Sequence, residues 1–113
     1  MEKVNEYDKQ FRHGDWGPKY MFRGPKVDWG VIVLKPGTSL KPHYHNQVEE
    51  TFYFVDGAPK IIVNDVEHRV KVGDIFRLEP QDKHDIVNDT DSNIKAIMIK
   101  CPCLPDDKVD IKE

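Results

Sequence analysis

Gly37-Thr-Ser-Leu-Lys-Pro-His-Tyr-His-Asn-Gln-Val-Glu-Glu-Thr-Phe-Tyr-Phe-Val-Asp-Gly57 is the stretch on which the reading of this chain turns. His43 and His45 lie one residue apart, and in an extended strand such positions project from the same face. Pro42 favours an extended conformation for Lys41 before it. Glu50, Phe52 and Phe54 share one face of the following strand, so a carboxylate heads a row of large apolar side chains. A charge in that place is costly unless it is paired or bound to a metal. Further along, His84 shares a strand face with Ile86 and Asn88 and adds a third inward imidazole.

Three imidazoles and one carboxylate make a mixed nitrogen and oxygen donor set. Such a set suits divalent Fe, Mn, Ni, Co or Zn and is too rich in nitrogen for Mg2+ or Ca2+. Four protein donors on an octahedral ion leave two positions for water, dioxygen or a chelating ligand. His13 and His68 read as ordinary histidines outside this set.

Working outward, short runs rich in Val, Ile, Phe and Tyr alternate with Gly, Pro, Asn and Asp. They predict strands near 19–23, 29–35, 39–45, 51–55, 60–63, 66–70, 74–78, 84–88 and 94–100. Asn64-Asp65 marks a tight hairpin, because both residues tolerate positive φ. No stretch carries the i, i+3, i+4 pattern of a helix, so the fold class is all-β, an antiparallel sandwich or barrel. The 113 residues make one domain. We expect an N-terminal extension over 1–24, a barrel over 25–104 and a polar, solvated tail over 105–113.

The net charge is −3, with Lys and Arg scattered among Asp and Glu. Without a basic stripe, nucleic acid is not an expected partner. The apolar runs are too short to span a bilayer, and no apolar leader opens the chain, so no membrane partner and a cytoplasmic location are expected. Cys101 and Cys103 flank Pro102, too close for an unstrained disulfide. They read as thiols where the last strand runs into a turn.

These residues resemble the cupin superfamily. Its first motif runs Gly, five residues, His-x-His, three or four residues, Glu, six residues, Gly, and is matched by Gly37, His43, His45, Glu50 and Gly57. Its second motif is matched by Gly73, His84 and Asn88, and the resemblance spans roughly 29–100. The family's Pro-x-Gly before the histidine falls on Glu79 and Gln81, with no glycine, so that loop is expected to turn differently.

The resemblance implies a jelly-roll or conical antiparallel β-barrel holding one divalent metal near its mouth through His43, His45, Glu50 and His84. It implies turn roles for Gly37, Gly57 and Gly73, and a homodimer in which the N-terminal segment meets the partner. Cupins include dioxygenases, sugar isomerases and epimerases, decarboxylases and non-catalytic binding domains, so fold leaves function open. The leading expectation is a small metalloenzyme, a dioxygenase or isomerase, acting on a sugar-derived or diketone-like molecule that chelates the metal. The rival is a module that binds a sugar or small effector without turnover. Beyond the ligands, Tyr20, Arg23 and Trp29 lie on early strands that can line the mouth. Arg23 could pair a carboxylate or phosphate. Phe52, Phe54, Phe76, Ile86 and Met98 supply an apolar wall or plain core. No acid or base beyond the metal ligands is legible.

Overall fold

The computed structural model describes residues 1–112. After a short 3-10 turn at Glu6–Asp8, the described residues form ten strands. They are β1 (Gly17–Arg23), β2 (Asp28–Leu34), β3 (His43–His45), β4 (Glu49–Asp56), β5 (Lys60–Val63), β6 (Val66–Arg69), β7 (Ile75–Leu78), β8 (His84–Val87), β9 (Ile94–Cys101) and β10 (Lys108–Asp110). Two antiparallel five-stranded sheets run β1-β2-β9-β4-β7 and β10-β3-β8-β5-β6. This is the all-β jelly-roll architecture expected. No helix among the described residues is long and apolar enough to cross a membrane.

The core lies between the sheets and is built by alternate residues. Ile32 and Leu34 of β2, Phe52 and Phe54 of β4, Ala96 and Met98 of β9 and Ile61 and Ile86 of the facing sheet are all buried. In the first sheet, the inward rows change character at one level. Moving along each strand, apolar residues give way to Arg23 on β1, Asp28 on β2, Lys100 on β9 and Glu50 on β4. Register sets these four side by side: Arg23 opposite Asp28, Asp28 opposite Lys100, and Lys100 opposite Glu50. Charge therefore alternates across four neighbouring strands, the favourable order for cross-strand pairs. The apolar half of the barrel ends here and the polar mouth begins.

The hairpin at Asn64-Asp65 forms as expected, with φ of 49° and 69°. Other segments differ from the sequence reading. The strand expected over 39–45 is confined to His43–His45, because Lys41 has φ of +74° rather than an extended conformation. Its carbonyl is thereby placed to accept from the His43 ring. Residues 105–113 were expected to form a solvated tail, yet Lys108–Asp110 pair with β3 and close the edge of the second sheet. Glu113 lies outside the described residues. At the other end, Gly17–Arg23 belong to the barrel sheet as β1, and only the segment before it is an extension. That segment folds onto its own chain: Glu6 pairs with Lys95 at 2.6 Å and with Lys19 at 3.5 Å.

Gly30 on β2 shows how tightly the inner face is filled. A Cβ there would meet the Met98 methyl group and lie 2.8 Å from the Lys19 carbonyl oxygen. The side chain can yield, but the backbone oxygen belongs to the β1 ladder and cannot. Gly30→Ala is expected to cost about 1–3 kcal/mol of stability. Urea denaturation of the variant beside the parent checks this, with a lowered midpoint as the expected result.

Candidate metal centre

β3 presents His43 and His45 inward, β4 presents Glu50 and β8 presents His84, and all four are buried. Pairing of His43 with His84 across β3 and β8 brings together residues remote in sequence. One donor atom from each of the four lies within 4.8 Å of every other. The Glu50 Oε1 atom is 3.1 Å from His45 Nε2 and 3.2 Å from His84 Nε2. Donors bound at about 2.0–2.2 Å to one ion stand about 3 Å apart when adjacent and about 4 Å when opposite. The cluster therefore has the spacing and the donor chemistry to hold a divalent transition metal.

Two backbone carbonyls orient the rings. His43 Nδ1 lies 2.8 Å from the Lys41 carbonyl oxygen, and His84 Nδ1 lies 2.9 Å from that of Asp82. A carbonyl only accepts, so each Nδ1 carries the hydrogen, and on His84 the Nε2 turns toward Glu50. At Nε2 a proton and a metal ion compete for the same lone pair.

Burial holds the His43 ring down at a pKa of about 4, with the neighbouring His84 adding to the effect. For Glu50, burial acts to raise the pKa. Hydrogen bonds from His45 and His84, together with the charge of Lys100, outweigh it and hold the carboxyl below its ordinary range. The cluster thus favours neutral imidazole at His43 beside an ionised carboxylate, the protonation states that metal ligation requires.

The cluster opens into a cavity of about 110 Å3. Tyr20, Arg23 and Lys100 line it, together with Arg12, Asp28 and Lys108. Of the early-strand candidates, Tyr20 and Arg23 reach the mouth. Positions 20 and 23 would face opposite ways on a regular strand, but a register shift between Tyr20 and Phe22 turns both inward. Trp29 does not reach it; it lies on the outer face of the sheet, in a groove with Met21, Val31 and Ile97. Met98 borders the cavity, whereas Phe52, Phe54, Phe76 and Ile86 pack as core. His13 stacks near Trp16 and His68 sits on the exposed β6, both away from the cluster.

Several supporting residues escaped the sequence reading. Asp107 accepts from the backbone N–H groups of Gln47 and Val48, at 2.8 and 2.9 Å, and so clamps the loop between His45 and Glu50. No local pattern announces a contact across sixty residues. Gln81 has φ of +76°, the conformation a glycine would take most readily. The loop before His84 therefore turns through a left-handed residue at Gln81 without a glycine. The Gln81 N–H donates to the His45 carbonyl at 2.8 Å, tying that loop to β3. Asn88, which the second motif did include, is a structural clip: its amide donates to the Leu34 and Ser92 carbonyls, both at 2.8 Å. Cys101 and Cys103 are free thiols, and Cys103 donates to Asp28 at 3.1 Å.

The sign of the pH dependence follows from His43 and Glu50. The folded state holds His43 neutral down to about pH 4, while the unfolded chain takes up a proton near pH 6.5. Stability from this group is complete above about 6.5 and is lost as pH falls toward 4, by up to about 3 kcal/mol. Glu50 acts later and in the same direction, since its contribution is lost as pH falls below the ordinary carboxylate range. Urea titrations of chelator-treated protein at pH 7, 5.5 and 4.5 should show steadily falling midpoints. A flat profile would contradict this account of the two groups.

Among known proteins, "Protein SchB" of Streptomyces halstedii is 29% identical over 76 residues, covering 67% of this chain and 55% of SchB. The chain thus spans about half the length of that relative. A Klebsiella pneumoniae protein with a double-stranded beta-helix domain superposes with a TM-score of 0.83 at 16% identity, covering 100% of both chains. A sugar phosphate isomerase of the cupin superfamily from Silicibacter pomeroyi superposes with a TM-score of 0.67 at 22% identity, over 75% of this chain and 59% of that one. These structural likenesses establish the shared fold. Residues 30–100 match the cupin domain family, which includes both the histidine pair with Glu50 and the distant His84, and the chain belongs to that family.

Proposed function

We propose that this cupin binds one divalent transition metal through His43, His45, Glu50 and His84 and acts on a small, oxygen-rich anion chelated to it. The observation that carries this reading is the convergence of four buried donors, three of which (His43, His45 and Glu50) line a cation-rich cavity. Arg12, Arg23, Lys100 and Lys108 line that cavity, against Asp28 and the ligand Glu50 as acids. Asp28 is already engaged by the Cys103 thiol. The balance favours a ligand bearing carboxylate or phosphate, such as a sugar acid or sugar phosphate, over a neutral diketone. A bound metal supplies Lewis acidity to the ligand oxygens it coordinates. The chain's own groups then orient the anion: Arg23 by its guanidinium fork and Lys100 by its ammonium. Isomerisation or oxidation of such a ligand fits the site, and a module that binds the same anion without turnover is the alternative.

We also propose that a second copy of the chain covers the outer face of the β1-β2-β9-β4-β7 sheet. Met21, Trp29, Val31, Val55 and Ile97 form an apolar groove there, with Glu6 and Lys95 at its edge. A two-fold pairing needs one self-complementary patch, and this apolar groove, edged by the internal Glu6–Lys95 pair, offers one. Light scattering at micromolar concentration should give twice the chain mass. Trp29→Lys should shift it toward monomer, and an unchanged dimer would place the interface elsewhere.

The metal site is tested by His84→Ala, which removes one donor while leaving the hydrophobic rows intact. Metal affinity should fall by at least about a hundredfold, with turnover of any substrate abolished and circular dichroism unchanged. His68→Ala on exposed β6 is the control and should alter neither. Full metal occupancy and affinity in folded His84→Ala protein would contradict the four-donor site.

A further inference from the structure

We infer that Tyr20 is the hydrogen-bond donor that meets the chelated anion, and that Lys100 is the positioning residue that aims it. The inference rests on the anion-binding reading proposed above and deepens it by naming the group that touches the ligand. The Lys100 Nζ atom lies 2.7 Å from the Tyr20 hydroxyl oxygen. An ammonium group has donors and no acceptor. The hydroxyl must therefore accept from Lys100, and its own hydrogen is left to point elsewhere. Arg23, whose guanidinium carbon lies 4.0 Å from the centre of the Tyr20 ring, also offers no acceptor. Among the described residues, Tyr20 donates to no protein group. It lines the same cavity as His43, His45 and Glu50.

The arrangement has a definite use. Lys100 fixes the oxygen, Arg23 fixes the ring, and the bulge after Tyr20 turns both Tyr20 and Arg23 inward. What remains free is one O–H, held in a cavity with an excess of positive charge. A carboxylate, phosphate or enolate-like oxygen on a chelated ligand is the acceptor that such a donor suits.

The test uses the full chain loaded with Co(II) and titrated calorimetrically with malonate, a dianion that chelates through two oxygens. Metal content is measured in every sample, and circular dichroism confirms folding. Tyr20→Phe keeps the ring and its contact with Arg23 but removes the donor, and should weaken malonate binding about tenfold with cobalt fully retained. Lys100→Met should weaken binding at least as much, since it removes both a cation and the constraint on Tyr20. In the Tyr20→Phe background Lys100→Met should cost at least about threefold less than in the parent, because only its charge remains to be lost. Equal malonate affinity in parent and Tyr20→Phe would overturn the inference while leaving the anion-binding site standing. Strict additivity of the two substitutions would overturn the positioning role of Lys100. A cobalt-loaded parent that binds no malonate would overturn the anion-binding reading, and the inference with it.

Discussion

A carboxylate buried at the head of an apolar strand row is the constraint around which this barrel is arranged. Glu50 precedes Phe52 and Phe54 on the inner face of β4 and is only 3% exposed. Leaving such a group unpaired would cost several kcal/mol. It is met by two imidazoles from the facing sheet and by the charge of Lys100 on the adjacent strand. Those partners come from β3, β8 and β9, so satisfying one carboxylate ties together both sheets at the mouth. A divalent cation at the same point would satisfy it more fully, and the geometry already has the spacing for one.

The rest of the site follows from keeping that mouth rigid and positive. Alternating charges on Arg23, Asp28, Lys100 and Glu50 stand side by side on four neighbouring strands at the level where the apolar core ends. The chain's C-terminal part returns to brace β3, through the β10 ladder and through Asp107 on the loop that leads to Glu50. Gln81 ties the loop before His84 to the same strand. The candidate donors on β3 and β8 are thus braced by later loops and by the β10 segment, the kind of support that fixes donor geometry.

What the sequence disclosed and what it withheld divide along a physical line. The two-residue period of a strand made His43 with His45, and Glu50 with Phe52 and Phe54, legible as shared faces. The same period placed His84 with Ile86. Nothing local states which of two faces is the inner one for an isolated strand, and Trp29, assigned to the mouth, lies on the outside. Tyr20 and Arg23 face the same way only because of a bulge that a period-two reading does not contain. Lys100 and Asp28 acquire their roles through register with β4 and with each other, a non-local property. Lys41 and Gln81 adopt positive φ without glycine, so composition gave no sign of either turn. The hydrogen bond between Lys100 and Tyr20 is visible only once β1 and β9 share a sheet.

The most direct measurement is anomalous X-ray diffraction from crystals of the metal-loaded protein, recorded on either side of the metal's absorption edge. One peak is expected per chain, within about 2.0–2.3 Å of a ring nitrogen of His43, His45 and His84 and of a Glu50 carboxylate oxygen. A peak elsewhere, or one touching fewer than these four residues at full occupancy, would contradict the four-donor centre.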